Sequence, residues 1–299
     1  MKNIIIIILF VFGSITVSNA QAWMTSLDVA QDLAAVQNKM VLMVWEDTTN
    51  YEYPVLVNDT NGRTLLIENL FEDEAISPLI WKHFVPVIVN EDQYADLFLK
   101  IKGKRKQSYI DKFNDDSIKI MDINGNILNS STHFVNYQNI TTIIQNYGLT
   151  TEFVSNELQG YKINKDFYST YFLASKYLDF SMYVKKDVRA EVINLSQIYL
   201  EEAEELISLN PSEDQLKLSQ RAVLLKIQAN LITSSARKVL RQLNRMDAEN
   251  VEENNLSFVA FLYYTAYSIL GDDTNAEQWK SQISSVNLKK AQLLINLNS

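Results

Sequence analysis

The chain contains no cysteine, and that single absence removes disulfides, thiolate metal sites, iron–sulfur clusters and every thiol mechanism. Imidazole is nearly as scarce. His83 and His133 are the whole supply, whereas a metal site or a nucleophilic triad needs several convergent partners. With 7 glycines and 4 prolines, the sequence cannot furnish the many tight turns of a sandwich or barrel, which depend on positive or preset φ. Helices should therefore dominate. Glycine-rich phosphate loops, His-Glu-x-x-His and Gly-x-Ser-x-Gly are all missing, so kinase, dehydrogenase and hydrolase readings have no motif to stand on. After residue 22 no stretch is long and uncharged enough to span a bilayer.

What is there is an ordinary globular composition, 47% apolar and 21% charged over 299 residues, long enough for two units that each bury a core. Residues 1–22 form one basic residue, an apolar run from Ile4 to Phe12 and a small, polar tail ending in Ala20-Gln21-Ala22. That is the pattern of a secretory signal peptide, with cleavage expected after Ala20 or Ala22. The run is short for a retained anchor, and a lipoprotein would need a cysteine at the cleavage site. Loss of Lys2 with the leader takes the formal charge from −9 to −10. The expected mature protein is exported, periplasmic or secreted, acidic and without a stable membrane anchor. Such a charge repels nucleic acid on average, and no nucleic-acid partner is expected.

Two halves differ in periodicity. Between Trp23 and Gly148, helical patterns alternate with strand patterns. Ser26 to Lys39 carries apolar residues on one helical face, and Met40 to Trp45 is a continuous apolar run, as in a strand buried on both faces. Ala75 to Phe84 reads as helix, Val85 to Val89 as strand, and Tyr94 to Ile101 as helix. Asn124-Gly125 is the strongest hairpin signal, joining Ser117–Met121 to Asn126–Leu128, and Asn136 to Asn146 closes the half as helix. Asn61-Gly62 could close an extra hairpin. From residue 149 onward only helical stretches follow, with a break expected near Thr233 to Ser235 inside the stretch from Ser212 to Met246. The expected division is a leader at 1–22, an α/β domain at 23–148 and an all-α domain of helical hairpins at 149–299.

Three passages carry a resemblance: VAQDLAAVQNKMVLMVW (Val29 to Trp45), ENLFEDEAISPLIWKHFVPVIVNED (Glu68 to Asp92) and IKIMDINGNIL (Ile118 to Leu128). Together they resemble the thioredoxin-like superfamily, in particular exported bacterial members with a helix ahead of the first long strand. Ala260 to Trp279, a helix, a Gly-Asp turn and a second helix, resembles a tetratricopeptide repeat. The resemblance implies a thioredoxin-like N-terminal domain followed by an α-helical, tetratricopeptide-like domain. Redox members carry Cys-x-x-Cys after the central strand; the corresponding window here, Thr48 to Arg63, has no thiol, and the family's proline before the last hairpin aligns with Asp116. Thiol–disulfide exchange is impossible for this chain.

The remaining chemistry lies in carboxylates. In such a fold the loop after the central strand and the loop before the last hairpin lie side by side at the carboxyl ends of the parallel strands, where open α/β sheets bind ligands. Glu46, Asp47, Asp115 and Asp116 would then converge beside Trp45 and Tyr51 to take a cation, an amine or a basic peptide, unless they are merely solvated loop charges. Asp122 to Asn126 superficially matches the start of a calcium loop, but its twelfth position is His133, and the hairpin turn accounts for it. Aromatics crowd the stretch from Tyr161 to Tyr183, as core, interdomain packing or a peptide groove, and the ligand surface is expected where this hairpin meets the acidic loops. The favoured function is a non-catalytic protein- or peptide-binding module needing no cofactor. The alternatives are a carboxylate- or metal-assisted enzyme using the acidic loops, or a structural subunit of an envelope assembly. The intact mass of protein recovered from the producing cell checks the leader: a mature chain beginning at Gln21 or Trp23 is expected, and a membrane-held form beginning at Met1 contradicts it.

Overall fold

The computed structural model describes residues 22–131, 138–209, 213–246 and 251–299. Its first half grows around β1 (Met40–Trp45), in which all six residues are buried. An apolar strand with no polar face needs cover on both sides. The preceding helix α1 (Leu27–Gln37) gives part of it through Leu27, Ala30 and Ala34. Ser26 starts this helix by accepting from the Val29 amide, and Asn38, in the left-handed region at φ 52, stops it, a conformation asparagine tolerates well.

Two hairpins follow different logics. In the first, β2 (Val55–Asn58) and β3 (Thr64–Ile67) pair antiparallel around a turn with Gly62 at φ 78, the position Asn61-Gly62 marks in the sequence. Helix α2 (Ile76–His83) then leads into β4 (Phe84–Val89), which runs parallel to β1 from Met40↔Phe84 to Trp45↔Val89. Asn90 caps α3 (Glu91–Ile101) by accepting from the Gln93 amide at 3.0 Å, so this helix begins three residues earlier than its apolar pattern suggests. A helix the apolar pattern does not announce, α4 (Gln107–Asn114), buries Tyr109, Lys112 and Phe113; a lysine in the buried stripe hides its periodicity. In the second hairpin, β5 (Lys119–Met121) pairs antiparallel with β1, and the partner expected at 126–128 is reduced to one bridge, Met121↔Ile127. Met24 bridges Val87 on the far side. A short β6 (Gln138–Asn139) joins β2 in parallel, and α5 (Ile140–Tyr147) ends this half. The result is two small mixed sheets.

The second half is helical: α6 (Ser155–Ile163), α7 (Phe167–Phe180), α8 (Lys186–Leu209), α9 (Gln215–Ile232), α10 (Ala236–Leu243), α11 (Glu253–Ile269), α12 (Asp273–Lys280) and α13 (Ser285–Asn298). The chain is thus a mixed α/β protein that is mostly helical. Among the described residues no helix is long and apolar enough to cross a membrane.

Buried apolar side chains from Leu27 to Leu294 form one contiguous cluster, and its polar seam lies at the second hairpin. Asp122 is 0% exposed. One of its carboxylate oxygens accepts from the backbone amides of Asn124 (3.0 Å) and Asn126 (2.9 Å). The other accepts from the hydroxyl of Tyr199, on α8. Asn124 Nδ2 donates to the same Tyr199 hydroxyl at 2.8 Å. The carboxylate that would begin a calcium loop is therefore filled by protein donors. Tyr199 is held in turn by stacking on Tyr177 (5.6 Å, 6°) and by the edge of Tyr161 (5.2 Å, 81°). A second tie joins Glu191 of α8 to Ser131, whose hydroxyl donates at 2.6 Å.

The expected break in the long third stretch is real. Helix α9 ends at Ile232, Ser234 adopts φ 56, and the Ser235 amide donates to Asn230 at 2.9 Å before α10 begins. A left-handed residue with a Cβ costs about 1–2 kcal/mol that glycine avoids. Ser234 is exposed, so Ser234→Gly removes strain without opening a cavity. Denaturant unfolding should show a gain of about 0.5–1 kcal/mol for Ser234→Gly and a loss for Ser234→Val.

Candidate functional site

Because β1 and β4 are parallel, their carboxyl ends, Trp45 and Val89, open into the same crevice. A cavity of about 250 Å³ lies there, with Trp45 and Tyr94 among its walls and Glu46, Asp47, Glu91 and Asp116 around it. The aromatic side is rigid. Trp45 meets Tyr94 edge-on at 4.8 Å and Phe113 at 5.0 Å, and its indole N–H donates to the Phe113 carbonyl at 3.0 Å. Tyr94 is fixed by its hydroxyl, which donates to Asn114 Oδ1 at 2.8 Å. Glu46 and Asp47 are placed by the strand's exit into a 3-10 turn, Glu46–Asn50, where the buried Thr48 donates back to the Trp45 carbonyl at 2.6 Å.

Four of the six residues singled out from the sequence, Trp45, Glu46, Asp47 and Asp116, are brought together here. Two are not. Tyr51 is 78% exposed and does not line the cavity; the nearby tyrosine that ties down the Asp116 loop is Tyr53. Its hydroxyl donates to the Asp116 carbonyl at 2.8 Å and accepts from Gln138 Nε2 at 2.7 Å. Asp115 turns inward, because two buried lysines lie beneath the loop. Its carboxylate faces Lys119 Nζ at 3.2 Å and Lys112 Nζ at 3.8 Å and accepts from the Ser117 hydroxyl. The aromatic hairpin does not meet the cleft either. No residue of the second half lines it, and Tyr161 and Tyr177 pack on Tyr199 beside Asp122 instead. Glu91 and Tyr94 were not singled out from the sequence; the signal that could have found them is Asn90-Glu91-Asp92, a helix cap placed right after a parallel strand. His83 ends α2, half-buried, and does not line the cavity. His133 lies outside the described residues.

The two buried lysines set the local electrostatics. Burial would raise Asp115, but the Ser117 hydrogen bond and the charges of Lys119 and Lys112 outweigh it and hold the carboxyl below the usual range. Lys119 is 0% exposed, with its ammonium 5.3 Å from the Trp45 ring centre, and burial pushes it down to about 8 against the upward pull of Asp115. Asp115 thus offsets one of the two floor charges, while Glu46, Asp47, Glu91 and Asp116 stay at the rim. Among the described residues no group of three or more histidine or acidic side chains could hold a metal ion. Carboxylates spread around an aromatic wall suit a larger, organic cation, which carboxylate and ring faces can attract together. Compared with family models, curated proteins and solved structures, the chain matches none.

The depressed Lys119 makes stability depend on pH. Between about 8 and the ordinary lysine value of 10.5, the unfolded chain binds a proton that the folded protein has released, so stability rises with pH across that window. From about pH 8 to about pH 9.5 Lys119 alone should contribute on the order of 1–2 kcal/mol, read as the difference between the parent and a variant without it. Lys119→Met should flatten that rise in denaturant unfolding. The comparison stops there, because unfolded tyrosines ionise near 10 while the buried Tyr177 and Tyr199 are held above it, which reverses the trend.

Proposed function

We propose that the chain is an exported, redox-inactive protein of thioredoxin-like type with a tetratricopeptide-like helical region, and that it binds a protein or peptide partner by seating a basic side chain in the acidic cleft. The observation that carries this reading is the convergence of Glu46, Asp47, Glu91 and Asp116 with the rings of Trp45 and Tyr94 in one cavity at the carboxyl ends of β1 and β4. A lysine or arginine side chain offers both a stem to pack on the rings and a charged head for the rim. The thioredoxin-like assignment is supported by strand order and direction: β4 parallel to β1, β5 antiparallel on its other side, and Ile127 beyond β5. Successive helices packed against one another support the helical-region assignment. Export rests on the leader pattern in residues 1–22.

A pair of matched extended peptides, one with a central lysine and one with norleucine, tests the cleft by calorimetry or fluorescence. The lysine peptide should bind, and its affinity should fall as salt rises past about 0.15 M, where the screening length drops below roughly 8 Å. Glu46→Gln with Asp116→Asn should weaken binding about tenfold or more while leaving the thermal midpoint nearly unchanged, since both residues are exposed. Equal binding of the two peptides, or an unaffected double variant, contradicts the reading.

A further inference from the structure

The last turn of α3 and the α3–α4 connection hold five cationic residues in seven, Lys100, Lys102, Lys104, Arg105 and Lys106, in a chain of net charge −9. This stretch faces α8, where Glu201, Glu202, Glu204 and Glu205 cluster, but the two sets share one ion pair, Lys104 with Glu205. Glu202 pairs with Lys165, Glu204 with Lys226 and Glu205 with Lys104. Among the described residues, Lys100, Lys102, Arg105 and Lys106 have no ion pair. Positive charge is left over where the two halves of the chain meet.

A cavity of about 120 Å³ opens at that surplus. Arg105, Lys106 and Ser108 come from the connection and the start of α4, Ser130 from the loop after the second hairpin, and Asn194 and Gln197 from α8. The Arg105 guanidinium is held by Asn126 Oδ1 at 3.4 Å and lies 6.0 Å from the Tyr109 ring centre, yet its buried Nε has no hydrogen-bond partner. A buried N–H with nothing to donate to is costly. Lys106 caps α4 without a side-chain hydrogen bond, so the positive end of the helix adds to the same field. With Lys104 and Tyr109, three cations, three hydroxyls and two side-chain amides line the cavity. One carboxylate, Glu201, lies among them.

We propose that this cavity is a binding site for a tetrahedral oxyanion, a phosphate or sulfate group, shared between the two halves of the chain and separate from the acidic cleft. The volume fits the anionic group itself. An adjoining cavity of about 510 Å³ shares Lys104, Arg105, Tyr109 and Glu201 with it and has Asn124, Asn126 and Tyr161 in its lining, so it receives the rest of the molecule when the group is an ester.

Thermal shift and calorimetry on the full mature chain test this, with inorganic phosphate and inorganic sulfate as probes against sodium chloride at equal ionic strength. Phosphate or sulfate should raise the thermal midpoint beyond the chloride control. Arg105→Gln with Lys106→Gln should weaken phosphate binding about tenfold or more, and Glu201→Gln should tighten it about threefold by removing the repelling carboxylate. Asn194→Asp, which adds a negative charge opposite Arg105, should weaken binding about tenfold and keeps the test decisive if the double variant does not fold. A further arm compares glucose 6-phosphate with inorganic phosphate. Tighter binding of the ester supports the site and brings the larger cavity into it; equal binding supports the site for the free anion. Phosphate and sulfate no better than chloride, or binding unchanged by Glu201→Gln and Asn194→Asp, overturns the proposal.

Discussion

A carboxylate with no exposure to water organises this molecule. Burial raises Asp122 above the ordinary carboxyl range, and hydrogen bonds from Tyr199, Asn126 and Asn124 work against that rise. A buried polar group left unmatched costs about 1–3 kcal/mol, more when charged, so the group is tolerable only while all three donors stay in place. Two donors are amides of its own turn and the third is the hydroxyl of a tyrosine 77 residues away in sequence. Local turn and distant helix are thereby tied to one pair of oxygens. Glu191 makes a second tie on α8: it is 3% exposed, raised by burial, and accepts from the Ser131 hydroxyl.

Of two regions of opposite sign, the basic one at the seam depends on that alignment, while the acidic cleft is built within the first half. At the carboxyl ends of β1 and β4, Lys119 and Lys112 occupy the floor, and Asp115 is spent on pairing with them, which leaves the remaining carboxylates at the rim. At the seam between α4 and α8, three of the four glutamates are spent on Lys104, Lys165 and Lys226, which leaves Arg105 and Lys106 without an ion pair and Glu201 alone among them. Net charge alone, −9, conceals the second region altogether. In each place the chemistry follows from which charges are already paired, and pairing is a property of tertiary structure.

That distinction explains what the sequence disclosed. Features written in local chemistry were legible: the apolar run of β1, the Asn124-Gly125 and Asn61-Gly62 turns, the break at Ser234, and the carboxylates at the end of β1. Helix α4 was hidden because Lys112 occupies its buried stripe, a position that only Asp115 and Ser117 make acceptable. Asp116 and Asp115 look equivalent in sequence, yet one reaches the cleft and the other turns toward Lys119; adjacent residues on extended backbone point to opposite sides, and nothing in a linear pattern says that Lys112 and Lys119, three and four residues from Asp115, are buried beneath it. Tyr53 was passed over for Tyr51 for the same reason, since its role comes from Gln138 and the Asp116 carbonyl. The aromatic hairpin was expected to border the ligand surface beside the acidic loops; its actual destination, Tyr199 beside Asp122, required the fold.

The coupling between Asp122 and Tyr199 is the direct test of this account. Unfolding free energies of the parent, Asp122→Asn, Tyr199→Phe and the double variant close a cycle that isolates their interaction. The account predicts one cooperative transition in the parent, with losses at both single variants and a coupling energy of about 1 kcal/mol or more, above the roughly 0.3–0.5 kcal/mol seen for independent sites. Strictly additive losses, or two separate transitions in the parent, would contradict it.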